Sequence, residues 1–262
     1  MTQEEKRLYL IKELLTEFPQ YSDIKTPSDA EAQKRLLRSL MNVRPPRPAS
    51  DEFLNIQDEY LQAETAKKGI TRIEELTPVQ SGIYLWQGDI TTLAADAIVN
   101  AANSALLGCF VPCHGCIDNA IHSAAGIQLR LECAGIMKKQ GFEEPTGKAK
   151  ITGAYNLPCR YVLHTVGPIV RGRLTDAHRR LLKSCYVSCL KLAREYGIKS
   201  LAFCCISTGE FHFPNREAAK IATDTVREFL NKDSNGMKVI FNVFKDEDMQ
   251  IYRELLAADQ KA

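Results

Sequence analysis

From about residue 71 onward, short apolar runs alternate with helical segments, and no other feature of the chain limits its fold as strongly. The runs Ile83-Tyr84-Leu85-Trp86, Ala97-Ile98-Val99, Tyr161-Val162-Leu163, Leu201-Ala202-Phe203-Cys204-Cys205-Ile206 and Val239-Ile240-Phe241-Asn242-Val243-Phe244 read as strands. Helical patterns occupy residues 117–140, 176–196, 215–231 and 246–257. This alternation predicts an α/β sandwich with a mixed or mostly parallel sheet covered on both faces. In such sheets ligands sit outside the carboxyl ends of the strands. Two groups of polar residues fall at such ends: Asn100 and Asn103 after the Ala97–Val99 run, and Ser207-Thr208-Gly209 after the Leu201–Ile206 run.

Residues 1–70 read differently, as helices only. Thr2 with Glu5 has capping-box spacing ahead of Leu8, Ile11, Leu15 and Phe18, and Ser28 with Glu31 repeats it ahead of Leu36, Leu37, Leu40 and Met41. Pro45, Pro46 and Pro48 end that second helix, and Ser50 opens a third carrying Phe53, Ile56, Tyr60 and Leu61. The expected organisation is a helical extension over residues 1–70 packed on an α/β domain over 71–262.

The chain has 262 residues, a net charge of +2 and nine cysteines. Nonspecific nucleic-acid binding normally shows a strong basic excess, so that partner is not expected. No apolar run approaches the ~18 residues of a membrane span, and the charged start Met1-Thr2-Gln3-Glu4-Glu5-Lys6-Arg7 does not resemble a signal peptide. An odd number of cysteines then implies reduced thiols and a cytoplasmic location. Cys185, Cys189, Cys204 and Cys205 are expected to be core packing.

The chemistry concentrates in Gly108-Cys109-Phe110-Val111-Pro112-Cys113-His114-Gly115-Cys116-Ile117-Asp118-Asn119. Thiolate and imidazole are ligands that suit zinc, Zn2+. Cys109, His114 and Cys116 give three ligands, which leaves a fourth position for a ribose hydroxyl or a water whose pKa would fall to ~7. Participation by Cys113 would instead close the site as Cys3His. Its adjacency to His114 argues against this. A Cys-rich loop without metal is the plain alternative. Asp118 opens a helical pattern, where a carboxylate is favoured by the helix dipole. It can also orient a sugar or accept a proton. His122, one turn later, reads as helix packing. In Ser207-Thr208-Gly209-Glu210-Phe211 a turn with free N–H groups ahead of a helix can hold an anion, though such a tripeptide is often just a turn. Asp89, after the Ile83–Trp86 run, reads on its own as a turn cap.

Taken together, Gly88-Asp89-Ile90-Thr91, the run from Asp96 to Asn103, His164-Thr165-Val166-Gly167-Pro168 and Ile206-Ser207-Thr208-Gly209 resemble the macrodomain signature, over about residues 73–258. The resemblance implies a three-layer α/β/α fold that binds ADP-ribose. It is nearest to the hydrolytic, MacroD-like branch, which removes single ADP-ribose units from proteins. A segment from Cys109 to Cys116 stands where that branch has glycines, while Asp118 keeps its place, as in the zinc-dependent microbial macrodomains. Those often carry a helical N-terminal extension and are associated with sirtuin-like transferases and lipoyl-carrier proteins.

By that resemblance Asp89 accepts the adenine amine and the Ile90 N–H meets an acceptor. Ser207, Thr208 and Gly209 cradle the diphosphate, with Phe211 covering it or the distal ribose and Glu210 able to reach the anomeric region as a second carboxylate. Asn103, Ile117, Asp118 and Asn119 surround the distal ribose, and Asn100 holds the loop. Phe244 stacks on adenine, a plain core aromatic being the alternative. The expected activity is zinc-dependent hydrolysis of mono-ADP-ribose from protein side chains by a monomer, with Asp118 and Asn103 catalytic. A non-catalytic ADP-ribose reader with structural zinc and an O-acetyl-ADP-ribose deacetylase are the alternatives.

Overall fold

A computed structural model describes residues 1–258 apart from Ser22 and Ser234; the last four residues of the expected 71–262 domain lie outside the described residues. Three helices come first: α1 (Gln3–Glu17), α2 (Ala30–Val43) and α3 (Asp51–Lys68). The capping box of α1 forms as its sequence requires: Thr2 Oγ1 accepts the Glu5 N–H, and Glu5 accepts the Thr2 N–H at 2.7 Å. The cap of α2 differs from the expectation by one residue. Asp29, not Ser28, accepts the Ala32 N–H at 2.8 Å, because a carboxylate serves the orphan amide at least as well as a hydroxyl.

The α/β body follows as β1 (Thr71–Arg72), β2 (Pro78–Gln80), β3 (Ile83–Gln87), β4 (Leu93–Ala94), β5 (Ala97–Ala102), α4 (Ile117–Ala125), α5 (Ile127–Gln140), β6 (Ala149–Gly153), β7 (Tyr161–Val166), α6 (Asp176–Glu195), β8 (Ser200–Phe203), α7 (Asn215–Leu230), β9 (Lys238–Val243) and α8 (Asp246–Ala258). The main sheet runs β2-β3-β9-β8-β5-β7-β6. Its five inner strands are parallel, and the edge strands β2 and β6 are antiparallel. β1 and β4 form a separate parallel pair. The helices α6, α7 and α8 pack side by side from the β6–β7 end to the β2–β3 end, while α4 and α5 lie against β5 and β6. Buried residues at consecutive positions in β5, β7, β8 and β9 show that both faces are covered. This is the mixed, three-layer α/β/α sandwich that was expected.

Two boundaries differ in ways that matter for the site. β5 continues past Val99 to Ala102, because its pairing with β7 runs on to Ala102↔Val166. Asn100 therefore belongs to the strand rather than to the loop after it. The helical region 117–140 is two helices, broken at Gly126 (φ 96°), where an added Cβ would lie 2.7 Å from Gln57 Nε2. That contact matters because Gln57, on α3, also accepts the Ile127 N–H and donates to Gln128. The extension has its own core of Leu10, Ile11, Leu14, Leu37, Leu40, Met41, Phe53 and Tyr60, and Ile127 of α5 is inserted into it.

Gly126→Ala should therefore strain the backbone and push Gln57 away. Left-handed strain at a non-glycine residue costs about 1–3 kcal/mol, or several degrees of melting temperature at this chain length. An unchanged thermal midpoint would show that the junction relaxes without cost.

Candidate functional site

The parallel strands β3, β9, β8 and β5 are neighbours, so their carboxyl ends open on one side of the sheet in that order. The expected site residues follow the same order. Asp89 and Ile90 come after β3, Phe244 after β9, the loop Ser207–Phe211 after β8, and Asn103 with the cysteine loop after β5. Three inter-strand steps span roughly 14 Å, so the row suits an elongated ligand.

At the β3 end, Asp89 caps a 3-10 turn by accepting from Thr91 N at 3.0 Å and Thr91 Oγ1 at 2.6 Å. Its other oxygen accepts from Lys68 Nζ, on α3, at 3.0 Å. Against the opposing pull of burial, these partners hold its carboxyl below the usual range. An open depression of ≈ 550 Å³, lined by Asp89, Trp86, Thr92 and Lys68, adjoins it. Ile90 is buried, which leaves its backbone as the part able to meet a ligand. Phe244 is 76% exposed at the end of β9, which removes the reading of it as a core aromatic.

In the next loop, Ser207 adopts φ 66° and is buried. The turn is closed by Phe213 N–H on Ser207 O at 2.9 Å and Val170 N–H on Phe211 O at 2.8 Å. Among the described residues the N–H groups of Gly209, Glu210 and Phe211 have no acceptor. A run of unpaired amides ahead of α7 is an anion-binding concavity, and Thr208 sits within it with its hydroxyl on Cys205 O.

At the β5 end the cysteine loop brings Cys109, His114 and Cys116 together, with one donor atom from each within 4.8 Å of the others. Cys109 Sγ lies 3.6 Å from His114 Nδ1, close to the edge of roughly 3.6 Å that a tetrahedron with Zn–S ≈ 2.3 Å and Zn–N ≈ 2.0–2.1 Å would require. Burial pushes the Cys116 thiol up to about 11 against the Asn119 N–H, and the Cys109 thiol beside it adds to the rise. Two thiols crowded in this way are relieved by a bound cation. The residues present therefore fit zinc. Cys113 does not join them: its Sγ turns to α2, 3.3 Å from Ser39 Oγ and 3.4 Å from Arg35 O. Glu210 reaches across from the β8 loop to place Oε1 3.7 Å from His114 Nε2.

Asp118, in the first turn of α4, is 4% exposed. Asn100 Nδ2 donates to its Oδ1 at 2.8 Å and Asn103 Nδ2 to its Oδ2 at 3.3 Å. Burial pushes its carboxyl up to about 6, against the Asn100 hydrogen bond and the Arg130 charge. His122, read in the sequence as packing, has its Nε2 3.5 Å from Asp118 Oδ1. Burial holds its imidazole well below the usual histidine range, so the ring faces the carboxylate uncharged. Gly108 is needed here: an added Cβ would lie 2.8 Å from the His122 ring. The i, i+4 spacing of Asp118 and His122 was the signal available in the sequence.

The side chains of Ile117 and Asn119, also expected at the ribose, make contacts within the protein. Ile117 packs its side chain on the main core. Asn119 is buried, and its amide is used within the protein: Oδ1 accepts from Arg38 Nη2 at 2.7 Å, and Nδ2 donates to Val111 O at 2.9 Å and Cys109 O at 3.4 Å. It braces the loop.

Comparison with known proteins gives this arrangement a context. The Macro domain family matches residues 99–222. A protein from Treponema medium named protein-ADP-ribose hydrolase is 57% identical over 98% of this chain and 100% of its own. The Trypanosoma brucei macrodomain in complex with ADP-ribose is 32% identical, covers 82% of this chain and 94% of that one, and has a TM-score of 0.64. The Oceanobacillus iheyensis macrodomain with ADP is 36% identical, covers 71% of this chain and 96% of that one, with a TM-score of 0.64.

The direction of Cys113 gives a clear expectation. Cys113→Ser should keep about one zinc per chain by metal analysis, while Cys109→Ser, His114→Ala and Cys116→Ser should each lose it. Loss of metal from Cys113→Ser would make the site Cys3His and leave no open position.

Proposed function

This chain belongs to the macrodomain family, and we propose that it hydrolyses the bond joining a single ADP-ribose unit to a modified protein side chain, releasing ADP-ribose and the restored protein. The observation that carries this reading is the buried Asp118 carboxylate, set beside a Cys-His-Cys group at one end of a ligand row. Burial pushes that carboxyl up to about 6, where a group can exchange protons near neutral pH.

Along the row, Phe244 stacks on adenine and Asp89 takes its amine. The free amides of Gly209, Glu210 and Phe211 hold the diphosphate. Asn103 orients the distal ribose by one face of its amide, and Asp118 accepts a proton from the attacking water. Asn100 fixes the Asp118 rotamer, and the buried His122 ring lies against the same carboxylate oxygen. Cys109, His114 and Cys116 hold zinc, which when bound supplies Lewis acidity toward an oxygen at neutral pH. The substrate is a mono-ADP-ribosylated protein, with a lipoyl-carrier protein as the first to try.

Asp118→Ala should lower turnover ~10²–10⁴-fold, the usual scale of general acid–base help, while free ADP-ribose still binds in calorimetry. Turnover near that of the parent protein would remove Asp118 from the mechanism. A strong chelator should abolish release of ADP-ribose from a modified protein but weaken binding of free ADP-ribose only ~10-fold, ~1.4 kcal/mol, with circular dichroism showing an intact fold and added zinc restoring turnover. Metal-loaded protein that binds ADP-ribose yet releases none from any modified protein offered would make it a reader.

A further inference from the structure

The family match begins at residue 99, so α2 lies wholly outside it. Yet one face of α2 touches the metal loop along most of its length. Arg35, Arg38, Ser39 and Asn42 follow the i, i+3, i+4, i+7 spacing of a single helix face. Arg38 donates through Nε and Nη2 to Asn119 Oδ1, at 3.2 and 2.7 Å, and through Nη2 to the His114 carbonyl at 3.0 Å. Asn42, 1% exposed, accepts the Cys113 N–H at 2.9 Å and donates to Ser123 Oγ at 2.9 Å.

These contacts bear on the loop at its least regular point. Residues 103–116 connect β5 to α4 without helix or strand. The tip residues Phe110 and Val111 are exposed, so apolar burial does not hold the tip in place. Cys113 adopts φ 51°, a conformation a non-glycine residue keeps only when its surroundings impose it. Asn42 and the Ser39 hydroxyl impose it here. Asn119 passes the Arg38 contact on to the carbonyls of Cys109 and Val111. Four backbone positions between or at the ligands, 109, 111, 113 and 114, are thus tied directly or through one side chain to α2.

We propose that Arg38 and Asn42 are positioning residues, and that the helical extension preorganises the Cys109–His114–Cys116 group for its metal. The inference rests on reading that group as a zinc site. Outer residues that orient first ligands typically change metal affinity 10–100-fold when removed. Arg38 is the better probe, because it is half-buried and its loss leaves no empty core.

The test uses the full chain and zinc alone, with affinity measured by competition against a chromophoric chelator and melting followed in excess chelator. Arg38→Met should weaken zinc binding at least 10-fold while the metal-free melting temperature stays with that of the parent metal-free protein. Arg38→Lys keeps the charge but not the planar fork, and should weaken it at least threefold. Lys34→Met, on the same helix but paired with Glu31 and Glu64, should leave zinc affinity unchanged. Parent-like zinc affinity in both Arg38 variants would overturn the proposal. So would an equal loss in Lys34→Met, because the effect would then be one of helix stability. A parent protein that binds no zinc would instead refute the zinc reading itself.

Discussion

The site depends on a carboxylate that is kept out of water yet kept polar. Asp118 sits in the first turn of α4 with both oxygens in the hydrogen-bonding range of amides, one from Asn100 and one from Asn103. A buried carboxylate without such partners would be costly. Its partners exist because β5 runs three residues further than its apolar core, carrying Asn100 beneath α4 in register with His164 of β7. His164 in turn is held between Asn100 and Thr152 of β6. A polar chain from Thr152 through His164 and Asn100 thus reaches Asp118 inside an apolar sandwich, with the Asn100 carbonyl oxygen left without a hydrogen-bond partner.

Around this point the sheet acts as a ruler. Four adjacent parallel strands deliver, in spatial order, a carboxylate beside an exposed aromatic, a turn of free amides, and a sulfur–nitrogen cluster with Asp118. Sequence order is different, since the β5 loop precedes the β8 loop, which precedes Phe244. The crossover connections turn a scattered set of short motifs into a single row, which is why the order of the row could not be read by counting along the chain.

The layered fold, the Cys-His-Cys grouping and the loops of the row were legible in the sequence because each is local. Apolar runs, Cys-x4-His-x-Cys spacing and capping patterns are decided within a dozen residues. What escaped was long-range. Arg38 and Asn42 look like the solvated side of an amphipathic helix, and only the docking of α2 on α4 gives them acceptors. The Cys204–Ile206 end of an apolar run is outside β8, since burial alone makes a run apolar. β6 was missed because Ala149–Gly153 mixes Lys150 with small residues, as an edge strand permits. His122, read as helix packing, is buried as expected, and its approach to Asp118 follows from their i, i+4 spacing.

Arg130 draws these parts into one. Its guanidinium, buried at the α5 end of the site, donates through Nη1 to the carbonyls of Met41 and Arg44 and through Nε to that of Leu107, and it lies over the Phe110 ring. Two of its three carbonyl partners belong to the extension and one to the loop between β5 and α4. A cation that divides its bonds in this way makes neither side a separable module. The line near residue 70 is a seam in the chain but not in the packing, so the α/β body alone would be a different molecule, with a buried guanidinium near Asp118 deprived of two of its carbonyl partners.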